Sequence, residues 1–155
     1  MGKVIAIGDS SVPAAAGKDY AIVRINKISD IKPAIVSTDD IRSEDSLMSV
    51  GFPLRSTYSQ KTGLRYPTAN FAKMTGTGTD GTFKTSNSLS RPGGSGSGIF
   101  ILDNDNGRPQ VMLGGIHQSE GGVGLQTSTI IEHLKISNPK VLSELSAAIE
   151  SGACN

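Results

Sequence analysis

The sequence predicts a mainly β protein, a barrel or a sandwich, finished by one or two helices. Three observations carry that expectation. Short runs rich in β-branched and aromatic residues recur from Val4 to His117, separated by Gly, Pro, Asn and Asp. Helical spacing of apolar residues is confined to the end of the chain. A length of 155 residues suits one domain with a real core, or two small ones sharing an interface.

The elements follow in order. Val4-Ile5-Ala6-Ile7 reads as a short strand. A loop with Pro13 and Gly17 separates it from a second strand, Tyr20-Ala21-Ile22-Val23-Arg24-Ile25. The polar stretch from Asn26 to Asp45, with Pro33, reads as a connection. Ser46 to Phe52 is a strand stopped by Pro53, and Tyr66 to Met74 holds another. Thr75 to Gly81 (TGTGTDG) reads as a turn region before a short strand at Thr82-Phe83-Lys84-Thr85. Ile99 to Leu102 and Val111 to His117 are strands joined by DNDNGRPQ, where Asn106-Gly107 is a hairpin signal because both tolerate positive φ. Thr129 with Glu132 reads as a capping box opening a helix through Leu134. Asn138-Pro139 reads as the start of a second helix. Val141, Leu142, Leu145, Ala148 and Ile149 form its apolar stripe, and Gly152 its stop.

The totals exclude several functions. A net charge of +1 leaves no electrostatic footprint for nucleic acid or an acidic membrane. No window is apolar enough to span a bilayer. Met1-Gly2-Lys3 leads into VIAIG, too short for the core of a signal peptide. The lone Cys154 has no internal partner, which leaves the compartment open.

Two motif matches fail on context. Gly76, Gly78 and Gly81 spell the dinucleotide fingerprint, but TFKTSNSLS follows instead of an apolar helix. Asp103 and Asp105 begin like a calcium loop, yet no bidentate Glu closes it, so a plain hairpin turn is expected. Neither a cofactor nor a metal is expected.

Glycine clusters in one place, GGSGSG from Gly93 to Gly98, hard against the apolar run Ile99-Phe100-Ile101-Leu102. A linker would not sit there. A catalytic loop would: glycines let successive N–H groups converge on a developing oxyanion, and a hydroxyl at the turn can attack a carbonyl. Ser95 is then the candidate nucleophile, and the N–H groups of Gly93 and Ser95 the candidate oxyanion hole.

These residues resemble those of trypsin-like serine peptidases. GGSGSGIF looks like the G-x-S-G-[GS]-P-x-F nucleophile motif, closest to bacterial glutamyl endopeptidases, which have Ser after the Gly. Lys18-Asp19-Tyr20-Ala21-Ile22-Val23-Arg24-Ile25 resembles the strand that carries the triad Asp. Gly114-Gly115-Ile116-His117 resembles the G-I-H stretch lining the primary specificity pocket. SVGFP, Ser49 to Pro53, resembles the first strand of the second barrel. The resemblance spans Val4 to Lys135. Gly94 and Gly98 depart from the Asp or Asn and the Pro usual there, so activation by a new N-terminal amine has no carboxylate to pair with.

The resemblance implies a chymotrypsin-like double β-barrel with C-terminal helices. Residues 1–40 would be the remnant of the first barrel and a connection, and residues 41–155 the second barrel. It implies an endopeptidase acting through an acyl-enzyme on Ser95, with Asp19 in the triad. His117, Ser90 and Gly115 would bind substrate, and peptide or protein would be the partner. Cleavage would follow Glu or Gln, Glu leading, with Glu120 disfavouring an acidic residue if it faces the pocket. The triad His should precede Asp19, and no His does; His117 belongs to the pocket strand and His133 reads as a helix-surface residue. The expectation is a C-terminal part of a longer, secreted or periplasmic peptidase, inactive as written. Poor solubility or association should follow from the missing strands. Two alternatives remain. One is a non-catalytic binding protein of the same fold, the other a structural β-sandwich with GGSGSG as a mere loop.

Overall fold

The computed structural model describes residues 2–8, 19–26, 34–52, 66–86, 94–105, 108–119 and 122–152. Strands β1 (Lys3–Ile7) and β2 (Ala21–Arg24) form a two-stranded antiparallel sheet, with Val4 opposite Val23 and Ile7 opposite Ala21. A further backbone bond runs from Gly8 N to Tyr20 O, 2.8 Å. The rest of the sheet structure is one closed barrel. Its strands are β4 (Ser46–Gly51), β5 (Thr68–Thr77), β6 (Thr82–Thr85), β7 (Gly98–Asp105), β8 (Arg108–Ser119) and β9 (Val123–Gln126), all paired antiparallel. In space they run β7-β4-β5-β6-β9, and β8 closes the ring by pairing with both β7 and β9. Strand β7 returns beside β4 after the β4-β5-β6 meander, which is Greek-key order. Ring closure gives every barrel strand a hydrogen-bonded neighbour on each side, with a stretch of β8 lying beyond its pairing with β9. The two-residue strand β3 (Ile35–Val36) covers that stretch, lying parallel to Met112 and Leu113.

The barrel interior follows from alternation. Along β5, TANFAKMTGT, half-buried and exposed residues alternate without a break, as a strand with one face on a core must. Ile41, Leu47, Phe83, Ile99 and Ile101 fill the interior, with Met74 packed against them. A second core lies outside the barrel wall. There Ala6 and Tyr20 of the β1–β2 sheet, Leu125 of β9, and Leu134 and Val141 of the helices pack together. Helices α1 (Thr127–Ser137) and α2 (Pro139–Gly152) supply Ile130, Leu142 and Leu145 to the same cluster. The apolar stripe Val141-Leu142-Leu145 thus faces inward, as its spacing requires. The salt bridge Arg24–Glu144 joins β2 to α2, and it is exposed, so it adds little stability.

Several boundaries differ from the sequence reading. Thr129 and Glu132 do not form a capping box. Helix α1 begins two residues earlier, behind Gln126, and has no side-chain cap. The Gln126 amide group is engaged elsewhere, its Oε1 accepting from the Ile41 N–H at 2.7 Å in a buried position. Thr127 likewise turns its hydroxyl back to donate to Ser37 O at 2.8 Å. Tertiary partners therefore outcompete the local cap. The TGTGTDG turn is shorter than expected. Strand β5 continues to Thr77, and the reversal uses Gly78 to Gly81, where Gly81 takes φ +79°. Asp80 Oδ1 accepts from the Thr82 N–H at 3.1 Å and secures the turn. Strand β6 follows at once, so the fingerprint glycines open no helix. Strands β7 and β8 also run longer, pairing out to Asp105 and Arg108. The Asn106-Gly107 turn itself lies outside the described residues, as does the Pro13–Gly17 loop. Asn138 does stand at the head of α2, with Val141 N donating to its Oδ1 at 3.5 Å. Strands β3 and β9 have no counterpart in the sequence reading.

Candidate functional site

The GGSGSG run is fastened to the barrel at its C-terminal end. Gly94 to Ser97 make a turn closed by Ser97 N donating to Gly94 O, 3.0 Å. Gly96, the third residue, has φ +84°, a conformation that favours glycine. The turn is then clamped to β8 twice. Gly96 N donates to His117 O at 2.7 Å, and His117 N donates to Ser97 O at 2.9 Å. Gly51 of β4 completes the fit: a Cβ there would collide with the Ser97 side chain. Ser95 projects from the exposed tip of this turn.

Next to the turn lies a cavity of about 520 Å³ lined by residues from three parts of the chain. Ile7, Asp19, Tyr20 and Ala21 come from β1, β2 and the residues before β2. Ser95 and Gly96 come from the turn, and Ile116, His117 and Gln118 from β8. Asp19 and Ser95, distant in sequence, therefore share one hollow. Asp19 is exposed, and its carbonyl oxygen accepts from Gln118 Nε2 at 3.4 Å.

His117 and Gln118 are neighbours in sequence, which in a regular strand would send their side chains to opposite faces. Here β8 carries a bulge. His117 pairs with Gly124 and Ser119 with Val123, so Gln118 is the extra residue. A bulge re-aims side chains, and both residues line the cavity while being almost wholly buried, at 2% and 8% exposure. Neither ring nitrogen of His117, nor Gln118 Oε1, has a hydrogen-bond partner among the described residues. Burial holds the His117 imidazole below its ordinary pKa of 6.5, so it is neutral at pH 7.

The two histidines differ sharply. His133 Nδ1 and the Tyr20 hydroxyl are 2.7 Å apart, ring edge to ring face, so His133 is a tether between α1 and the chain at β2 instead of a bare surface residue. Burial pushes the Tyr20 phenol up, partly offset by the Ser137 hydroxyl. Gly115 does not line the cavity; it is buried in β8, where a Cβ would stand 2.8 Å from the Phe83 ring. Ser90, Gly93 and Glu120 lie outside the described residues.

Sequence reading thus reaches Asp19, Ser95 and His117, and misses Tyr20 and Gln118. Gln118 follows GGIH directly, but its role depends on the bulge, and the bulge depends on the register with β9. A second cavity, about 350 Å³, lies between the helices, β3 and β8. Its walls are almost all aliphatic, with Thr38, Thr127 and Ser146 the polar members, and none of the described residues lining it titrates.

Comparison with protein-family models, with curated proteins and with solved structures finds no match to this chain.

Proposed function

We propose that the chain carries the nucleophile side of a serine endopeptidase centre of the chymotrypsin-like kind. One observation carries this reading: Asp19 and Ser95 line the same cavity beside the barrel. Ser95 Oγ attacks the carbonyl carbon of a peptide bond. Its proton needs an imidazole beside Asp19, which neither His117 nor His133 supplies; given one, the proton passes through it to the leaving amine as the C–N bond breaks. Water then reverses these steps and frees the acid from Ser95. The closed Greek-key barrel with terminal helices supports the reading, because it is the form expected of a second barrel. The tight turn at Ser95 supports it too, presenting a hydroxyl on a backbone that its clamps hold still. Recognition of Glu or Gln before the scissile bond belongs to the same proposal.

Of the chain's two histidines, His133 is committed to Tyr20, and His117 bonds to neither Asp19 nor Ser95. That observation favours a second reading, a peptide-binding protein of the same architecture that does not cut. Supplying the base from solution separates the two. The loss of a triad base lowers turnover roughly a million-fold, and free imidazole at high concentration restores part of it. With an activated ester of acetylglutamine, the expected result is turnover that rises with imidazole above the solution background. It should vanish in Ser95→Ala and fall in Asp19→Asn. An imidazole response identical in Ser95→Ala and the parent would overturn serine chemistry and leave the binding protein.

A further inference from the structure

The second cavity, between the helices, β3 and β8, holds about 350 Å³. Four elements wall it, with Val36 on β3, Leu113 on β8, Ile130 and Ile131 on α1 and Leu145 on α2. Base and rim differ. Thr127 and Leu134 are buried, whereas Ala34, Thr38 and Ser146 are exposed. The Thr127 hydroxyl is committed to Ser37 O and lies near the carbonyls of Leu113 and Gly114, so the base has no donor to spare. The hydroxyls of Thr38 and Ser146, each a donor and an acceptor, put the usable polarity at the rim. Ile116, Ile130, Leu142 and Leu145 of the lining also flank the outer core. The hollow is therefore a gap beside that core, where aliphatic side chains lack partners on one side.

We propose that this hollow binds an uncharged aliphatic amphiphile, its alkyl chain against the base and its hydroxyl at the rim. The site is independent of the peptidase reading and shares only Ile116 with the cavity that holds Ser95. Volume sets the size of the ligand. Pockets for single small molecules begin at about 300 Å³. Benzene fits an apolar cavity of about 150 Å³, so about 350 Å³ accommodates roughly twice that amount of hydrocarbon. An alkyl chain of about eight carbons fits with room for its head. Each methylene it buries strengthens binding about fourfold. Charge decides the head. A carboxylate finds no cation among the lining residues. It also stands near Asp39 and Asp40, exposed residues that follow Thr38 directly. Asp40 is held to the first turn of α1, its Oδ1 accepting from Ser128 Oγ at 2.6 Å. An ammonium group can approach the same carboxylates, but only in water, where such a pair is worth little. A neutral hydroxyl exchanges hydrogen bonds with Thr38 and Ser146 at no cost in charge.

The test is a titration of the whole chain at pH 8 with hexan-1-ol, octan-1-ol, octanoate and octylamine. The readout is the methyl NMR signals of Ile130 and Ile131, assigned from their loss in Ile130→Val and Ile131→Val. Octan-1-ol should shift both signals along one saturable curve and bind about tenfold tighter than hexan-1-ol. Octanoate should bind at least about threefold more weakly than octan-1-ol, and octylamine no more tightly. Ala34→Trp and Ser146→Trp each cap the mouth from an exposed position. Each should weaken octan-1-ol at least about tenfold, as if two methylenes were shut out, with the ligand-free urea midpoint unchanged. Either variant decides the point if the other does not fold. Val23→Ser, on the half-exposed apolar face of β2 outside the hollow, should leave binding as it is. Shifts that do not saturate, equal affinity for hexan-1-ol, or tighter octanoate or octylamine binding overturns the proposal. So does a loss in Val23→Ser as large as in the rim variants, or no loss in those variants. A chain that sediments as a dimer, and as a monomer in both rim variants, assigns the hollow to a second copy and overturns it too.

Discussion

Gly124 stands where strand β9 crosses the barrel core, and adding one methyl group there should be felt throughout the fold. Phe83 is wholly buried, and its ring rests against the bare backbone of Gly124. A Cβ on Gly124 would lie 2.6 Å from Phe83 Cζ, 2.8 Å from Cε1 and 3.0 Å from Ile99 Cδ1. Comfortable carbon contacts are about 3.5–4.0 Å, so the methyl overlaps the ring by about 1 Å. Gly115 crowds the same ring atoms, since a Cβ there would lie 2.8 Å from Phe83 Cε1 and 3.0 Å from Cζ. Overpacking of this kind costs about 1–3 kcal/mol. Alanine restricts the unfolded chain more than glycine, which returns about 0.4–1 kcal/mol. Gly124→Ala should therefore destabilise by about 1–2 kcal/mol, read as a lower urea midpoint with an unchanged slope. The decisive experiment is the double variant. Phe83→Leu alone should destabilise by removing ring volume. Combined with Gly124→Ala, it makes room for the new methyl group. The pair should then be more stable than the sum of the singles by about 1 kcal/mol. Additivity within about 0.3 kcal/mol would show that the ring does not sit on Gly124.

Two further expectations follow from buried polar groups. Thr127→Val removes a hydroxyl that donates to Ser37 O and also lies near the carbonyls of Leu113 and Gly114. It should cost about 1–2 kcal/mol in urea unfolding, with Thr127→Ser recovering most of it; a loss below about 0.5 kcal/mol refutes the role. His117 sets a pH dependence. Its pKa is lower folded than unfolded, so between the two values the unfolded chain holds more protons. Its contribution is complete above pH 6.5 and is lost as pH falls below that value. The parent should therefore weaken between pH 7 and 5 more than His117→Gln does, and equal slopes refute it.

The strands of the barrel are legible in the sequence because alternation and turn residues are local signals. Ser46 to Phe52, Thr82 to Thr85 and Val111 to His117 all fall close to β4, β6 and β8. Strand β9 is not legible, because Gly124 and Gln126 interrupt any strand pattern. Gly124 is there for Phe83, a residue far away in sequence. The misread capping box has the same origin. Thr129 and Glu132 match a local rule, but the chain at Gln126 and Thr127 is held by Ile41 and Ser37, and those contacts move the helix start. At the site, residue types and their order point to Asp19, Ser95 and His117. Gln118 stays hidden because a bulge is a property of register between two strands and leaves no mark on either one.

The double clamp between Ser97, Gly96 and His117 changes what glycine means in this loop. A run such as GGSGSG in isolation would exchange its amide hydrogens with solvent almost as fast as an unfolded chain. Here the Gly96 and His117 amides are bonded across between turn and strand, so they exchange only when the turn parts from β8. Strand β8 is held by β7 along most of its length, by β9 at one end and by β3 in the middle. The turn thus leans on a strand that does not move, and those two amides should exchange far more slowly than those of a free glycine-rich chain. The flexible residues therefore serve for shape alone: they let the backbone enter a tight turn, and the strand beside them then keeps it there for the lifetime of the fold.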